Sequence, residues 1–354
     1  MTHAGIDVDR DSPAPTPTSR AAYWDAVRGL GIVLVVYGHV ARGLMAGGIL
    51  AASPPWTTLD ALIYSFHMPL FFFISGRFFP STFQRQGAVP LLMRKVGTIA
   101  YPYCLWSLVQ GGLEYAMARY TNHGVRPFVG GILWAPIDQF WFLYALFFVF
   151  VAATGIYSLR FHARWALLAV AAALFLTDWS ATAWQGYGYV AYYLLFFALG
   201  SWSASTGVSR SEWKTLPTGL LAVAGLAALI QFNGLGYPVQ VSPLLWQQRL
   251  VALACAVAGS GVILCGARVL PRSLCGVVAL LGRRSMEIYL LHIIVASGTR
   301  ILAARFLGMH DPYLHLLLGT SMGLLVPVLM ASWLRSIGVA FLFEWPRTLP
   351  ASST

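Results

Sequence analysis

Long apolar stretches separated by short polar segments make up most of the chain. Ten of these stretches are long enough to cross the roughly 30 Å hydrocarbon layer of a membrane as helices. They cover residues 27–45, 59–79, 96–117, 140–158, 165–179, 187–203, 216–232, 250–267, 285–303 and 314–341. The pattern predicts an all-α fold, a polytopic integral membrane helical bundle of about ten transmembrane helices.

The two ends of the chain lack this apolar pattern. Residues 1–20, MTHAGIDVDRDSPAPTPTSR, are rich in Pro, Thr, Ser and Asp and contain no apolar run like that of a signal peptide. They are expected to form a disordered cytosolic tail. Residues 21–346 are predicted to form a single membrane domain, and residues 347–354 a short cytosolic tail.

The distribution of the 23 Lys and Arg residues predicts an orientation. Basic residues near the ends of membrane spans are retained in the cytoplasm. With the N-terminus in the cytoplasm, ten spans place most of these residues on the cytoplasmic side. The exceptions are Arg42, Arg119, Arg126, Arg249, Arg300 and Arg305. This asymmetry predicts a multi-pass protein of the inner (cytoplasmic) membrane with both termini in the cytoplasm.

Composition excludes several classes of function. Hydrophobic residues make up 58% of the 354 residues and charged residues 10%, which is more apolar than a soluble core requires. The formal net charge of +11 is spread through loops and forms no basic patch, so we expect membrane lipids as partners and no nucleic acid. The four cysteines have no CxxC or Cys/His ligand spacing, so neither a disulfide framework nor a metal site is expected.

Two ionisable residues interrupt the first apolar stretch, AVRGLGIVLVVYGHVARGL. Arg28 lies near its start and His39 well inside it. Eleven residues at about 100° each place both side chains on one helix face, separated by roughly 16 Å along the axis. A snorkelling arginine and a satisfied core histidine would explain either residue alone. The shared face favours a functional pair.

Polar residues also lie within or beside other apolar stretches. His67, in SFHMPLFFFISGRFF, is predicted at a depth similar to that of His39, so both imidazoles are expected to face one cavity. Pro69 and Gly76 in the same stretch are interpreted as packing features. The remaining candidates are Asp25 before Arg28, Trp141 after Asp138 and Gln139, Glu287 and His292 in the ninth stretch, and Glu344 in the closing FEWP.

Several of these candidates have structural alternatives. Trp141 is equally typical of the aromatic belt at a membrane boundary. Glu287 requires a partner if it is buried. Glu344 either pairs with a loop arginine or simply ends the last helix.

Five motifs, in this order, resemble membrane-bound acyltransferase family 3, especially its branch similar to fucose 4-O-acetylases and exopolysaccharide O-acetyltransferases. They are YWDAVRGLGIVLVVYGHV, FHMPLFFFISG, FWFLYAL, LGRRSMEIYLLH and the terminal EWP. The resemblance covers the membrane domain, residues 21–346. Members of the family often carry two arginines three residues apart before the third span, whereas here Arg94 and Lys95 are adjacent and Gly97 takes the later place.

The resemblance implies transfer of an acetyl or other acyl group from acyl-CoA to a hydroxyl of a bacterial cell-envelope or exported polysaccharide. His39 and His67 are the implied catalytic residues, and Arg28 is implied to bind the donor phosphates, with Arg94 and Lys95 as further candidates. Acetyl-CoA is the expected donor substrate, no cofactor is expected to be bound permanently, and the expected acceptor is a glycan or a lipid-linked oligosaccharide. A covalent route is not favoured, because Ser75 and Ser285 lie in no GxSxG motif.

The sequence leaves two alternatives to an acyltransferase. A transporter or flippase of a glycan or small molecule would use the same intramembrane polar residues as a substrate or proton path, although no inverted repeat is evident in the sequence. An inactive membrane scaffold would keep the fold without the chemistry. Retention of both Arg28 and His39 argues against the scaffold.

Overall fold

The computed structural model describes residues 20–116, 131–134, 136–159, 162–177, 185–205, 215–233 and 246–346, and these contain helices and no strand. The predicted tails lie outside them, apart from Arg20, which begins the first helix. The helices are α1 (Arg20–Ala46), α2 (Pro54–Gln86), α3 (Ala88–Lys95), α4 (Tyr101–Ala116), α5 (Trp141–Ser158), α6 (Ala163–Leu176), α7 (Gln185–Ser205), α8 (Thr215–Asn233), α9 (Trp246–Val269), α10 (Arg272–Arg283), α11 (Ser285–Ile301) and α12 (Pro312–Ser336). Short π-helical turns (Val96–Ala100, Leu302–Phe306) and 3-10 turns (Asp138–Phe140, Ala340–Leu342) join or follow them.

Within the described part of the chain, six helical segments are long and apolar enough to cross a membrane. They are Ala21–Ala46, Pro54–Gln86, Asp138–Ser158, Arg249–Val269, Ser285–Phe306 and Pro312–Ser336. The other four predicted spans correspond to α4 with its preceding π turn, α6, α7 and α8, which are helical. The all-helical membrane fold is thus confirmed, whereas the number of ten spans stays a prediction.

Helix α10 occupies a segment that the sequence pattern left as a loop. Its 12 residues extend for about 18 Å, which is too short to cross the hydrocarbon layer. Cys275, Ala279 and Gly282 are buried, while Arg272, Ser273 and Arg283 are exposed, so the helix is amphipathic. It packs along α1, near Arg28. A scan for long apolar stretches misses such a helix because half of its residues are polar, small or charged.

Helix α1 lies at the centre of the bundle, against α2, α9, α10, α11 and α12. Helix α2 packs against it and runs back in the opposite direction, which places the start of α2 beside the end of α1. On its other side α2 packs closely on α7, and a Cβ at Gly76 would clash with the carbonyl oxygen of Phe197. The packing interpretation of Gly76 is therefore confirmed.

The charge distribution predicts that an impermeant thiol reagent distinguishes the two ends of α2. Exposed Ala52 precedes α2, whereas exposed Gln84 lies at its far end and Ser273 lies on α10. In intact cells, we expect a cysteine introduced at Ala52 to be labelled and those at Gln84 and Ser273 to be labelled only after permeabilisation. The parent chain, whose four native cysteines are buried or half-buried, is the control. Labelling of Gln84→Cys in intact cells would reverse the predicted orientation.

Candidate active site

Two cavities lie along one face of α1. The first, here the Arg28 cavity, has a volume of about 290 Å³, and the second, here the His39 cavity, a volume of about 730 Å³. From α1, Arg28 and Ile32 line the first cavity, His39 and Arg42 line the second, and Val35 borders both. These positions recur every three or four residues, as expected for one helix face. Arg28 and His39 therefore do share a face, as the spacing predicted.

The two cavities meet at a common border. Val35 of α1, Met68 of α2 and Tyr289 of α11 line both of them. The hydroxyl of Tyr289 donates a hydrogen bond to the carbonyl oxygen of Gln139, which fixes the ring against the turn before α5. The two cavities are therefore adjacent, with two apolar side chains and one tyrosine at their border.

Three imidazoles from three helices gather at the His39 cavity. His39 and His67 both line it, as expected from their predicted depths. The ring of His292 does not line the cavity, but its centroid lies 5.1 Å from that of His39. Tyr64 lies near both His39 and His67. Its ring centroid is 6.2 Å from that of His39 and 4.6 Å from that of His67.

Backbone carbonyls fix the tautomer of two of these histidines. His67 Nδ1 lies 2.7 Å from the carbonyl oxygen of Ile63, and His292 Nδ1 lies 2.8 Å from that of Tyr289. Because a carbonyl oxygen only accepts, each Nδ1 carries the proton and each Nε2 is left with a lone pair. His39 makes no side-chain hydrogen bond within the described part of the chain. Of the three, His39 alone is free to accept a proton on either ring nitrogen.

A half-buried ion pair holds Arg42, which lines the His39 cavity. Arg42 of α1 donates two hydrogen bonds of 2.8 Å to the carboxylate of Asp60 on α2. Its guanidinium lies 3.1 Å from the ring centroid of Tyr64. This two-point pairing fixes α1 against α2 next to His39. The sequence analysis counted Arg42 only among the basic residues on the outer side and did not single out Asp60. The available signal was an Arg three residues after His39 and an Asp seven residues before His67.

Amide, carboxylate and aromatic groups form the opposite wall. Gln110 and Gln139 hydrogen-bond to each other through their amides, and Gln110 also donates to Glu114 over 2.9 Å. Asp138, which lines the same cavity, has a positive φ of 39°, a strained conformation for a residue other than glycine. Trp141 lines the cavity too and stacks on Tyr189 at 5.1 Å. Trp141 therefore belongs to the site and not only to a membrane boundary.

Basic side chains line or surround the Arg28 cavity. Arg28 pairs with Asp25 at 3.2 Å, and Asp25 also lies 3.7 Å from Arg283 of α10. Lys95 lines the cavity with its ammonium 4.1 Å from the ring centroid of Phe150. Burial, together with the charges of Arg94 and Arg28, lowers the pKa of Lys95 to about 8. The exposed Arg94 lines neither cavity.

The two remaining candidates lie outside both cavities. Glu287 is buried and pairs with Arg335 of α12 at 2.6 Å and with Arg284 at 3.4 Å. Glu344 lies in the segment after α12, where the backbone N–H of Trp345 donates to the carbonyl of Gly97 over 3.0 Å. Among the residues that the structure describes, no group of three or more His, Cys, Asp or Glu side chains is arranged to hold a metal ion.

The position of Glu287 predicts a contribution to stability. Losing one partner of a buried ion pair leaves the other charge unpaired, but Arg335 is about a third exposed, so water compensates in part. We expect Glu287→Gln to lower the free energy of unfolding by roughly 1–2 kcal/mol. Unfolding of the purified protein in detergent measures this. Glu287→Gln, Arg335→Gln and the double variant form a cycle, and strictly additive losses would show that the pair contributes nothing.

Comparison with known proteins identifies the chain at the level of its family. Searches of curated proteins and of solved structures found no match. The sequence model of a family described as an acyltransferase domain, acyltransferase family 3, matches residues 21–332, which is most of the chain and includes His39, His67, Trp141 and His292. Together with the apolar helices of the bundle, this match shows that the chain is a membrane protein that belongs to acyltransferase family 3.

Proposed function

We propose that the protein transfers an acetyl group, or another short acyl group, from acyl-CoA to a hydroxyl of a cell-envelope or exported polysaccharide. The single observation that carries this proposal is the pair of cavities that meet at Val35, Met68 and Tyr289, with basic residues in one and His39 in the other. A transferase must hold a donor and an acceptor so that their reacting atoms approach each other. Two cavities with one shared border meet this requirement.

The Arg28 cavity suits the donor. Arg28 and Lys95 offer cations for the phosphates of CoA, and the guanidinium of arginine binds phosphate oxygens in pairs. The cavity is also lined by Ile32, Phe71 and Met68, apolar side chains that suit the pantetheine arm. The roughly 16 Å between Arg28 and His39 along α1 is the reach from the phosphates to the thioester.

His39 suits the role of general base. Its ring lines the cavity, and neither nitrogen is held by the backbone. In the proposed step His39 takes the proton of the acceptor hydroxyl while that oxygen attacks the thioester carbonyl. The tetrahedral intermediate then expels the CoA sulfur, His39 returns the proton to it, and an ester and free CoA result. His67, with its Nε2 lone pair, orients the hydroxyl or shares the role of base.

The His39 cavity suits a sugar acceptor. Carbohydrates are bound by aromatic faces against their C–H groups and by amides and carboxylates against their hydroxyls, which the cavity supplies through Trp141, Gln110, Gln139, Glu114 and Asp138. In the predicted orientation this cavity opens to the outer side of the cytoplasmic membrane and the Arg28 cavity to the cytoplasm. The donor is then cytosolic acyl-CoA, and the acceptor is a glycan or lipid-linked oligosaccharide that approaches from outside.

The transporter alternative loses support once the family is known. A transporter or flippase would use the same polar path, but membership of an acyltransferase family favours chemistry at His39 over passage. The inactive scaffold would require the loss of a site residue, whereas His39, His67 and Arg28 are all present and line the cavities.

The proposal predicts different effects for the residues of the two cavities. Membranes incubated with labelled acetyl-CoA and isolated host polysaccharide should form an alkali-labile labelled ester. We expect His39→Ala to lower this rate by roughly 10²–10⁴-fold, since it removes the base. Arg28→Ala should mainly raise the KM for acetyl-CoA, on the order of tenfold, because it removes a charged hydrogen bond.

His315→Ala is the matched control, because His315 is a buried histidine of α12 that lines neither cavity. Near-normal ester formation by His39→Ala would exclude His39 as the base. If the parent protein moved glycan across the membrane without forming an ester, and His39→Ala moved it at the same rate, the transporter would be favoured instead.

The lowered pKa of Lys95 predicts a pH dependence of donor capture. With a pKa of about 8, Lys95 is mostly charged at neutral pH and loses its charge, and its attraction for phosphate, as the pH rises above 8. We therefore expect kcat/KM for acetyl-CoA, which reports the free enzyme, to fall between pH 7 and pH 9. Lys95→Arg should remove this fall, because a guanidinium stays charged throughout the range. An unchanged fall in Lys95→Arg would assign it to another group.

A further inference from the structure

The ring of His292 carries a buried polar atom that has no use in the mechanism above. The residue is 0% exposed, and its Nε2 has no hydrogen-bond partner in the described part of the chain. Buried polar atoms are nearly always paired, so an unpaired one marks a site where a partner arrives or where function needs the atom free.

The hydrogen bonds of the other ring nitrogen determine what this atom can do. His292 Nδ1 faces two carbonyl oxygens, those of Tyr289 at 2.8 Å and of Ile288 at 3.0 Å. Two acceptors hold the proton on Nδ1, so Nε2 carries a lone pair and can only accept a hydrogen bond. The donor it lacks must therefore be an N–H or O–H group.

His39 is the neighbour that can supply such a donor. The centroids of the two rings are 5.1 Å apart, and the ring planes are inclined by 57°. The side chain of His39 has no hydrogen bond within the described residues, so one of its nitrogens is available to donate. A hydrogen bond between the rings requires that of His39 to turn until an N–H faces Nε2 of His292. Because His292 does not line the cavity, it acts on the substrate only through His39.

Close helix packing keeps the two rings facing each other. α12 packs on both α1 and α11. A Cβ at Gly323 of α12 would lie 2.8 Å from Cγ1 of Val36 on α1 and 3.8 Å from the carbonyl oxygen of His292 on α11. Gly323 therefore lets α12 approach both helices and press them together at the level of the two histidines.

We propose that His292 is a positioning residue for His39, an inference that rests on the proposed acyl transfer. Its Nε2 accepts the N–H of His39, which turns the other nitrogen of His39, with its lone pair, towards the acceptor hydroxyl. When His39 takes the hydroxyl proton, the resulting imidazolium keeps the same hydrogen bond. The proton then goes to the CoA sulfur, and none passes to His292. A neutral imidazole held by the backbone thus does the orienting that a carboxylate does in a Ser-His-Asp triad.

The test compares replacements that keep or remove the acceptor. His292→Gln places an amide oxygen near the position of Nε2, whereas His292→Phe keeps a ring of similar shape without an acceptor. With purified enzyme, labelled acetyl-CoA and isolated host polysaccharide, we expect His292→Phe to lower kcat on the order of 10²-fold, the typical effect of a misplaced catalytic group. His292→Gln should retain most of the parent kcat. The KM for acetyl-CoA should change in neither variant, because the donor phosphates are proposed to bind at the Arg28 cavity.

Controls separate this role from a structural one. His315→Phe removes another buried histidine, whose Nε2 bonds the carbonyl of Met309 at 2.9 Å, and should leave kcat near the parent value. Retained binding of CoA shows that a variant is folded. If His292→Phe fails to bind CoA, His292→Asn replaces it, because the shorter amide keeps a donor near Nδ1 but no acceptor near Nε2.

Three results would overturn the proposal. A kcat for His292→Phe, or for the substituting His292→Asn, within threefold of the parent would show that His39 needs no such partner. Equal losses of kcat in His292→Gln and in His292→Phe, or in the substituting His292→Asn, would show that catalysis does not depend on an acceptor at Nε2. A raised KM for acetyl-CoA at unchanged kcat would place His292 in donor binding. These outcomes leave acyl transfer itself intact, whereas a parent enzyme that forms no ester would overturn the proposed function and this inference together.

Discussion

Polar groups between the apolar helices of this bundle must find partners within the protein, because hydrocarbon offers none. Asp60 meets this requirement with Arg42, and Glu287 meets it with Arg335. Arg249, 1% exposed, donates to the carbonyl oxygen of Phe175 over 2.8 Å at the end of α6. Each partner comes from a different helix, so the same contacts that satisfy the charges also fix how the helices pack. The site depends on this constraint, since α1, α2 and α11 are each tied beside the cavities they line.

The same constraint separates residues that hold the bundle together from residues that remain free to react. The nitrogen Nδ1 of both His67 and His292 is bound to the backbone one turn earlier, and Arg42 is bound to Asp60. His39 makes no such hydrogen bond within the described residues. A general base needs one unoccupied lone pair at the reacting atoms. In the proposed mechanism His39 provides it from the nitrogen that faces the cavity, while its other nitrogen donates a hydrogen bond to His292.

Much of this arrangement follows from the sequence, and the limits have physical reasons. Helix geometry is regular, so eleven residues sufficed to place Arg28 and His39 on one face. The need of Glu287 for a partner was also predictable, but Arg335 as that partner was not, because it lies 48 residues further along the chain and meets Glu287 only through the packing of α11 on α12. Helix α10 was missed because half of its residues are polar, small or charged and its 12 residues are too few to cross a membrane. The partnerless Nε2 of His292 is a tertiary property with no trace in the sequence.

The border between the two cavities has a consequence for how a transferase can work across a membrane. A continuous polar channel would let ions and protons pass. A transporter controls this passage by changing conformation, whereas acyl transfer requires no such channel. Here Val35, Met68 and the ring of Tyr289 separate a basic cavity from a cavity with histidines. Tyr289 is held by its hydrogen bond to the backbone of Gln139, beside the strained Asp138. In the proposed reaction, an acyl thioester is small and uncharged enough to extend through such an apolar ring, while the charged part of CoA is not. Under that proposal the ring admits the group that is transferred and retains the carrier, so donor and acceptor react without either crossing the protein.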